Sequence, residues 1–490
     1  MSSENLQTKW GQFISLIIVF FFWGFVGSAN DILIPVFKKV FTLSQVQSQL
    51  VAWAFYVAYF VGSIIFFLIS LKVDVLQKFG YKKTLSAGLL LSAFGSFLFV
   101  PAATMESFPF FLTALFTVGL GFSIQQIVAN PLAIKMGSPD TGAHRLTLAG
   151  GINSFGTTIG AILLGIALFG MGNDKKTDLS LEDIKLPFII LGVAFIVVAV
   201  FMNFSKIENP AKIEKTVIKN ESTDTFRVLD YPQLYLGMLA IFIYVGTEVT
   251  IISNLPALLH TAEFGRILED AVPPFIALYW GSLMIGRWNG GVNVFNTSTL
   301  VNTALKFIVP AVAFGVIIGA NLFAEHDVSE FYIYPIWILL FIGVSFVGGK
   351  NAGKTLMLFG ISGLLMMLSG LVCTDTEIAK FFFISGGLFL SIMWPSIFDL
   401  AIAGLGKNTG KASSFLIMMI LGGGVIPLIQ GGICDIDLTN PAGIFGISWT
   451  HFSYVVPLVG FAYLGFYGYY CPKILKRQGI GRIETEGGGH

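Results

Sequence analysis

The sequence predicts an all-α integral membrane protein, and three observations carry that prediction. Of 490 residues, 55% are apolar and only 12% charged, with 48 Phe and 55 Gly, a balance foreign to a water-soluble fold of this size. Apolar runs long enough to cross a bilayer recur along the whole chain. The one long polar stretch, at 205–231, divides them into two sets.

A bilayer core about 30 Å thick takes roughly 20 apolar residues to cross as a helix. In the first set such runs lie near 12–37, 47–71, 84–103, 108–134, 146–171 and 187–204. The stretch "SKIENPAKIEKTVIKNESTDTFRVLDY" follows, too dense in Lys, Glu and Asn for a buried element, and reads as a linker. The second set lies near 232–259, 271–295, 299–323, 332–349, 354–373, 379–405, 412–434 and 447–470, which makes fourteen spans in all. The expected organisation is an N-terminal half at 1–204, a linker at 205–231, a C-terminal half at 232–471 and a tail at 472–490.

Lys and Arg are costly to translocate and collect on the cytoplasmic side. Lys72, Lys78, Lys82 and Lys83 crowd one loop, and Lys473, Lys476 and Arg477 mark the tail, so both termini and the linker are expected in the cytoplasm. The first apolar run is too long for a signal-peptide core and is expected to stay as a helix. Cys373, Cys434 and Cys471 are few, odd in number and far apart, which points to no disulfide framework, metal site or cofactor. A net charge of +1 argues against a nucleic-acid partner. The two halves also echo one another. "QQIVANPLAIKMGSPDTG" at 125–142 and "SIMWPSIFDLAIAGLGKNTG" at 391–410 share a proline inside a span and a Gly/Thr-Gly loop, followed by "NSFGTTIGAILLG" and "SSFLIMMILGGG". A parallel repeat of six helices explains the echo and places a binding site near the midplane between halves.

Intramembrane charge is the strongest functional signal, because a charge at the bilayer centre costs about 2.5 to 3.5 kcal/mol on insertion scales and so faces a cavity or a partner. Asp31 in "GFVGSANDILIP" and Glu248 in "YVGTEVTIISN" each sit in the first span of a half, beside small residues that leave room for a ligand. Asp399 is open between binding and packing, whereas Arg287 and Lys306 are expected to be structural, with Arg287 reaching the membrane interface or a loop acid. Asn30, Gln126, Asn130 and Asn153 add amides that both donate and accept, as hydroxyl groups require, and Gln125 belongs to the same set. Trp394, beside Pro395, offers an aromatic face for the apolar side of a sugar ring. A channel would want rings of like groups, and an enzyme a nucleophile with its base or a metal cluster; five scattered His without H-E-x-x-H supply neither. A membrane sugar sensor that does not transport stays open.

The segments "FFFWGFVGSANDILIPVF", "GLGFSIQQIVANP", "RLTLAGGINSFG", "SIMWPSIFDLAIAGLG" and "ASSFLIMMILGGGVIPLIQG" resemble the fucose–galactose–glucose:H+ symporter family of the major facilitator superfamily. The resemblance implies the major facilitator fold, two six-helix halves that alternate access to a hexose and a cation, in a bacterial inner membrane and as a monomer. It implies further that Asp31 matches the family's first-helix aspartate and Asn153 its "NSFG" asparagine. Gln126 stands where the fucose permease has a glutamate, Gly150 where it has a glutamine, and Trp394 where it has a tyrosine. That pattern, with an acid in "YVGTE", resembles the glucose and galactose branch more than fucose carriers; fructose and amino sugars are the alternatives. Set against the family, residues 299–349 form an inserted helix pair between its eighth and ninth helices. The expected site is Asn30, Asp31, Gln126, Asn130, Asn153, Glu248 and Trp394, with Asp31 and Glu248 coupling H+ or Na+. Sodium would need oxygen ligands from those carboxylates and from backbone carbonyls.

Overall fold

A computed structural model describes residues 8–70, 75–137, 142–170, 180–207, 230–292, 298–349, 351–405 and 409–480. The expected linker falls almost wholly outside them. The described chain is all helix apart from loops and one isolated bridge between Ile444 and Ile447. Its long helices are α1 (Trp10–Val40), α2 (Gln45–Ile69), α3 (Tyr81–Thr104), α4 (Phe108–Lys135), α5 (Gly142–Phe169), α6 (Leu181–Phe204), α7 (Pro232–Leu259) and α8 (Pro273–Gly291). They continue with α9 (Thr299–Phe323), α10 (Pro335–Gly348), α11 (Ala352–Val372), α12 (Thr376–Ile402), α13 (Phe415–Leu438) and α14 (Val455–Arg477). Thirteen of these segments are long and apolar enough to cross a membrane. The fourteenth, α8, is 19 residues long and more polar, for reasons the site makes plain.

Two helices are interrupted where their sequences forbid continuity. In α12 the helix stops at Leu390 and restarts at Met393. Pro395 has no N–H to give the carbonyl four residues back, so the ladder fails at Ser391. In α13 a 3-10 turn at Met419–Leu421 precedes the helix Gly422–Cys434, where three successive glycines, Gly422 to Gly424, open the second segment. A methyl group on Gly422 would run into the Phe242 carbonyl of α7, so only glycine lets the two backbones meet there.

The pairings inside the first six helices recur among the last eight. The helix α1 packs on α5, α2 on α4, and α3 on both α4 and α6; likewise α7 packs on α13, α8 on α12, and α11 on both α12 and α14. Across the middle, α2 meets α13 and α8 meets α5, and a smaller contact joins α1 to α7. The pair α9–α10 stands outside this pattern and packs on α8, α11 and α12.

At the end remote from the termini, a chain of buried amides closes the seam. Lys38 Nζ donates to Gln45 Oε1 at 2.7 Å, and Gln45 Nε2 to Asn254 Oδ1 at 2.9 Å. Asn254 Nδ2 donates to Gln430 Oε1 at 3.1 Å, and Gln430 Nε2 to Ser453 Oγ at 2.9 Å. The Asp435 carboxylate accepts from the backbone N–H groups of Gln45 and Val46 at 2.6 and 2.9 Å, capping α2 from the other side of the seam.

Candidate functional site

The site grows out of the first helix of each set. Asp31 lies in α1 two-thirds of the way along and is buried. Its Oδ2 accepts a hydrogen bond of 2.8 Å from Trp280 Nε1, which comes from α8. Glu248 lies in α7 and is also buried. Its Oε1 accepts from the Tyr244 hydroxyl at 3.3 Å and pairs with Arg287 Nη2 at 3.4 Å, while Tyr279 OH donates to its backbone carbonyl at 2.7 Å.

Arg287 departs from the expectation set for it. It does not run to the interface or to a loop acid but binds Glu248, and its other nitrogens reach Ser154 Oγ at 2.6 Å, the Gly150 carbonyl at 3.3 Å and the Ser391 carbonyl at 3.3 Å. The reason is local. Ser391 sits at the α12 break, where its carbonyl lacks the N–H of Pro395, and a guanidinium with five donors supplies the missing partner. Arg287 thus ties α5 to α7, α8 and α12. Beside it Trp288 Nε1 donates to the Gly151 carbonyl at 3.3 Å. Lys306 lies over the Phe346 ring at 4.8 Å, a structural contact as expected.

Around this pair stand aromatic faces and amides. Trp394 is half-buried, its ring 5.9 Å from Tyr244 and stacked on Phe398 at 6.5 Å. Tyr56 stacks on Tyr59 at 6.2 Å, and Gln126 Nε2 donates to the Tyr59 hydroxyl at 3.3 Å. Asn153 Nδ2 donates to the Phe20 carbonyl at 3.0 Å, which fixes α5 to α1 with Ser154 facing Arg287. Asn30 is buried beside Asp31, and its Nδ2 has no hydrogen-bond partner. A buried amide donor left unpaired is costly, and it adds a donor beside the carboxylate. Gln125 is committed elsewhere, accepting from Trp23 Nε1 at 2.8 Å and donating to Ser92 Oγ at 2.9 Å. Asn130 is half-buried, and among the described residues no hydrogen bond joins its amide to the cluster. No disulfide joins Cys373, Cys434 and Cys471, and no group of three or more His, Cys, Asp or Glu that could hold a metal occurs among the described residues.

Trp280, Tyr244, Tyr279, Tyr56 and Ser154 are the participants that sequence reasoning missed. A spacing signal did exist for one of them: Trp280 and Arg287 are seven residues apart on one helix and so share a face.

Two bundles meeting along α2–α13 and α5–α8, with opposed carboxylates and aromatic faces between them, define a membrane transporter of the alternating kind rather than an enzyme. Residues 12–428 match the profile of the Major Facilitator Superfamily. A glucose/galactose transporter of Brucella abortus is 31% identical over 455 residues, covering 93% of this chain and 92% of that protein. An L-fucose-proton symporter of Haemophilus influenzae is 26% identical over 504 residues, covering 97% and 100%. A crystal structure of the Escherichia coli fucose:proton symporter FucP, in a variant form, superposes with a TM-score of 0.60 at 20% identity, covering 94% of this chain and 98% of that one. The chain belongs to the Major Facilitator Superfamily. The resemblance carried by the helix motifs is borne out by these relatives.

Proposed function

We propose that this protein imports a hexose, glucose or galactose, together with a proton, and that Asp31 carries the coupling. The observation that supports this reading most is the Asp31–Trp280 contact at 2.8 Å, in which an acid of the first helix set is held by a neutral donor of the second. An indole N–H can donate to a carboxylate and, more weakly, to the carbonyl oxygen of a carboxylic acid, so Asp31 can change protonation without losing its partner. The sugar would lie between Trp394, Tyr244, Tyr56 and Trp280, with Asn30, Gln126, Asn153 and Glu248 as hydrogen-bond partners. The name of the Brucella abortus relative favours glucose or galactose over fucose, and the Haemophilus influenzae relative's name favours a proton over sodium. In the orientation read from Lys and Arg, both termini face the cytoplasm of a bacterial inner membrane, and the amide seam closes the outer end. Ion and sugar must each stabilise the state that switches, or no coupling arises.

The test is uptake of labelled glucose, galactose, fructose and fucose into proteoliposomes, with proton and sodium gradients imposed separately. Accumulation of glucose or galactose driven by the proton gradient and lost in Asp31→Asn supports the proposal. Driving by sodium alone moves the coupling to a cation site at Asp31 and Glu248. Equilibration indifferent to both gradients makes the protein a uniporter, and failure to move any hexose removes the sugar reading.

A further inference from the structure

The inserted pair α9–α10 plays no part in the mechanism so far, yet it grips α8, the helix that brings Trp280 to Asp31 and Arg287 to Glu248. On α8, Trp280 and Arg287 point into the site. Ser282 and Asn289 have the same seven-residue spacing but lie two positions further on, about 200° around the helix. They therefore occupy the opposite face, and both are fully buried against the inserted pair.

The contacts on that face are specific. Tyr334 leads into α10, and its hydroxyl lies 2.6 Å from Ser282 Oγ, both residues being buried. Ser282 gives its own proton to the Leu278 carbonyl at 2.7 Å, so Tyr334 is the donor. Asn289 Nδ2 donates to the Lys306 carbonyl of α9 at 2.8 Å, and Asn289 Oδ1 accepts from Ser345 Oγ of α10 at 3.2 Å. The Lys306 carbonyl is available for a definite reason: Pro310, four residues on, has no N–H to give it. A proline in α9 thus creates an acceptor that an asparagine of α8 fills. Beside the first of these ties, a methyl group on Gly281 would run into Ile317 of α9. At the remote end, Glu330 of the α9–α10 loop lies 2.6 Å from the buried ammonium of Lys380 on α12, which also sits over the Phe275 ring of α8 at 5.5 Å.

We propose that the inserted pair is a back-plate that fixes the rotation of α8 about its own axis, and that Asn289 and Tyr334 are positioning residues for Trp280 and Arg287. Two ties seven residues apart, on the face opposite the site, resist rolling of the helix. A roll would carry the indole away from Asp31 and the guanidinium away from Glu248. The inference rests on the site as read above, and not on which sugar is carried.

The test labels the full-length protein with 5-fluorotryptophan and assigns the Trp280 fluorine resonance by its absence in Trp280→Phe. That resonance is then compared, without sugar, among the unsubstituted protein, Asn289→Ala and Tyr334→Phe. The expected result is a shifted or broadened Trp280 line in both variants, more in Asn289→Ala, with the Trp53 line, on a helix of the other set, unchanged. Where hexose uptake is measurable, KM rises about fivefold on loss of one such hydrogen bond while the maximal rate holds. A Trp280 line unchanged in both variants overturns the proposal, even if either variant is less stable or transports poorly. Should Asn289→Ala fail to fold, Tyr334→Phe, which keeps its ring stacked on Trp337 at 5.8 Å, decides alone. Because the resonance is read without transport, a protein that moves no hexose defeats the proposed function and leaves this test intact.

Discussion

Asp31 and Glu248 occupy corresponding places, each in the first helix of its set, and both are buried, yet their surroundings differ in kind. Asp31 is met by one neutral indole from the opposite set. Glu248 is met by a guanidinium and a phenol from its own set, and that guanidinium is itself fastened to three backbone or hydroxyl oxygens. Glu248 thus faces a permanent cation, whereas Asp31 faces only a neutral donor. Under the proposed function, that difference assigns the travelling proton to Asp31 and makes Glu248 the partner of Arg287 and of the sugar.

Four substitutions test that contrast. Asp31→Asn is expected to abolish gradient-driven accumulation while leaving sugar counterflow, read as exchange of labelled against unlabelled sugar across sealed vesicles; accumulation that survives would move coupling elsewhere. Next in size, Arg287→Ala leaves a buried carboxylate unpaired, and loss of one partner of such a pair costs about 3 kcal/mol. Thermal unfolding in detergent should show the drop, and adding Glu248→Gln should recover most of it. Glu248→Gln alone should keep gradient driving but weaken sugar binding about tenfold, the scale of one charge-assisted hydrogen bond, measured by calorimetric titration. If Glu248→Gln instead uncouples transport, the two acids have been assigned in reverse. Trp280→Phe should be mildest, about fivefold in apparent sugar affinity, because it removes one neutral hydrogen bond and keeps a ring in place.

Much of this was legible in the chain because membranes impose strong rules. The spans, their number and the two acids follow from hydrophobic length and from the cost of burying charge, while that residues 299–349 are an inserted pair follows only from the resemblance to the family. What escaped notice has a common cause. Trp280 reaches Asp31 across 249 residues of sequence, and one Trp among 8, or one Tyr among 14, carries no mark of which way it faces. Arg287 lies near a helix end, which fits snorkelling, but Glu248, Ser154 and the break at Ser391, four helices on along the chain, turn it inward. Asn130 is a different case, a half-buried intramembrane amide that no hydrogen bond among the described residues joins to the cluster. The weak echo between "QQIVANPLAIKMGSPDTG" and "SIMWPSIFDLAIAGLGKNTG" pointed to paired architecture, but not to the identity of the helices that touch.

Asp435 completes the first turn of α2 from the opposite set, so the amide protons of Gln45 and Val46 are sheltered only while that seam is shut. Exchange of those two protons with deuterium would then keep time for the seam. The rate at which they are lost reports the fraction of time the seam stands open, and the opening rate itself where exchange outpaces reclosing, with no sugar, gradient or label on the site.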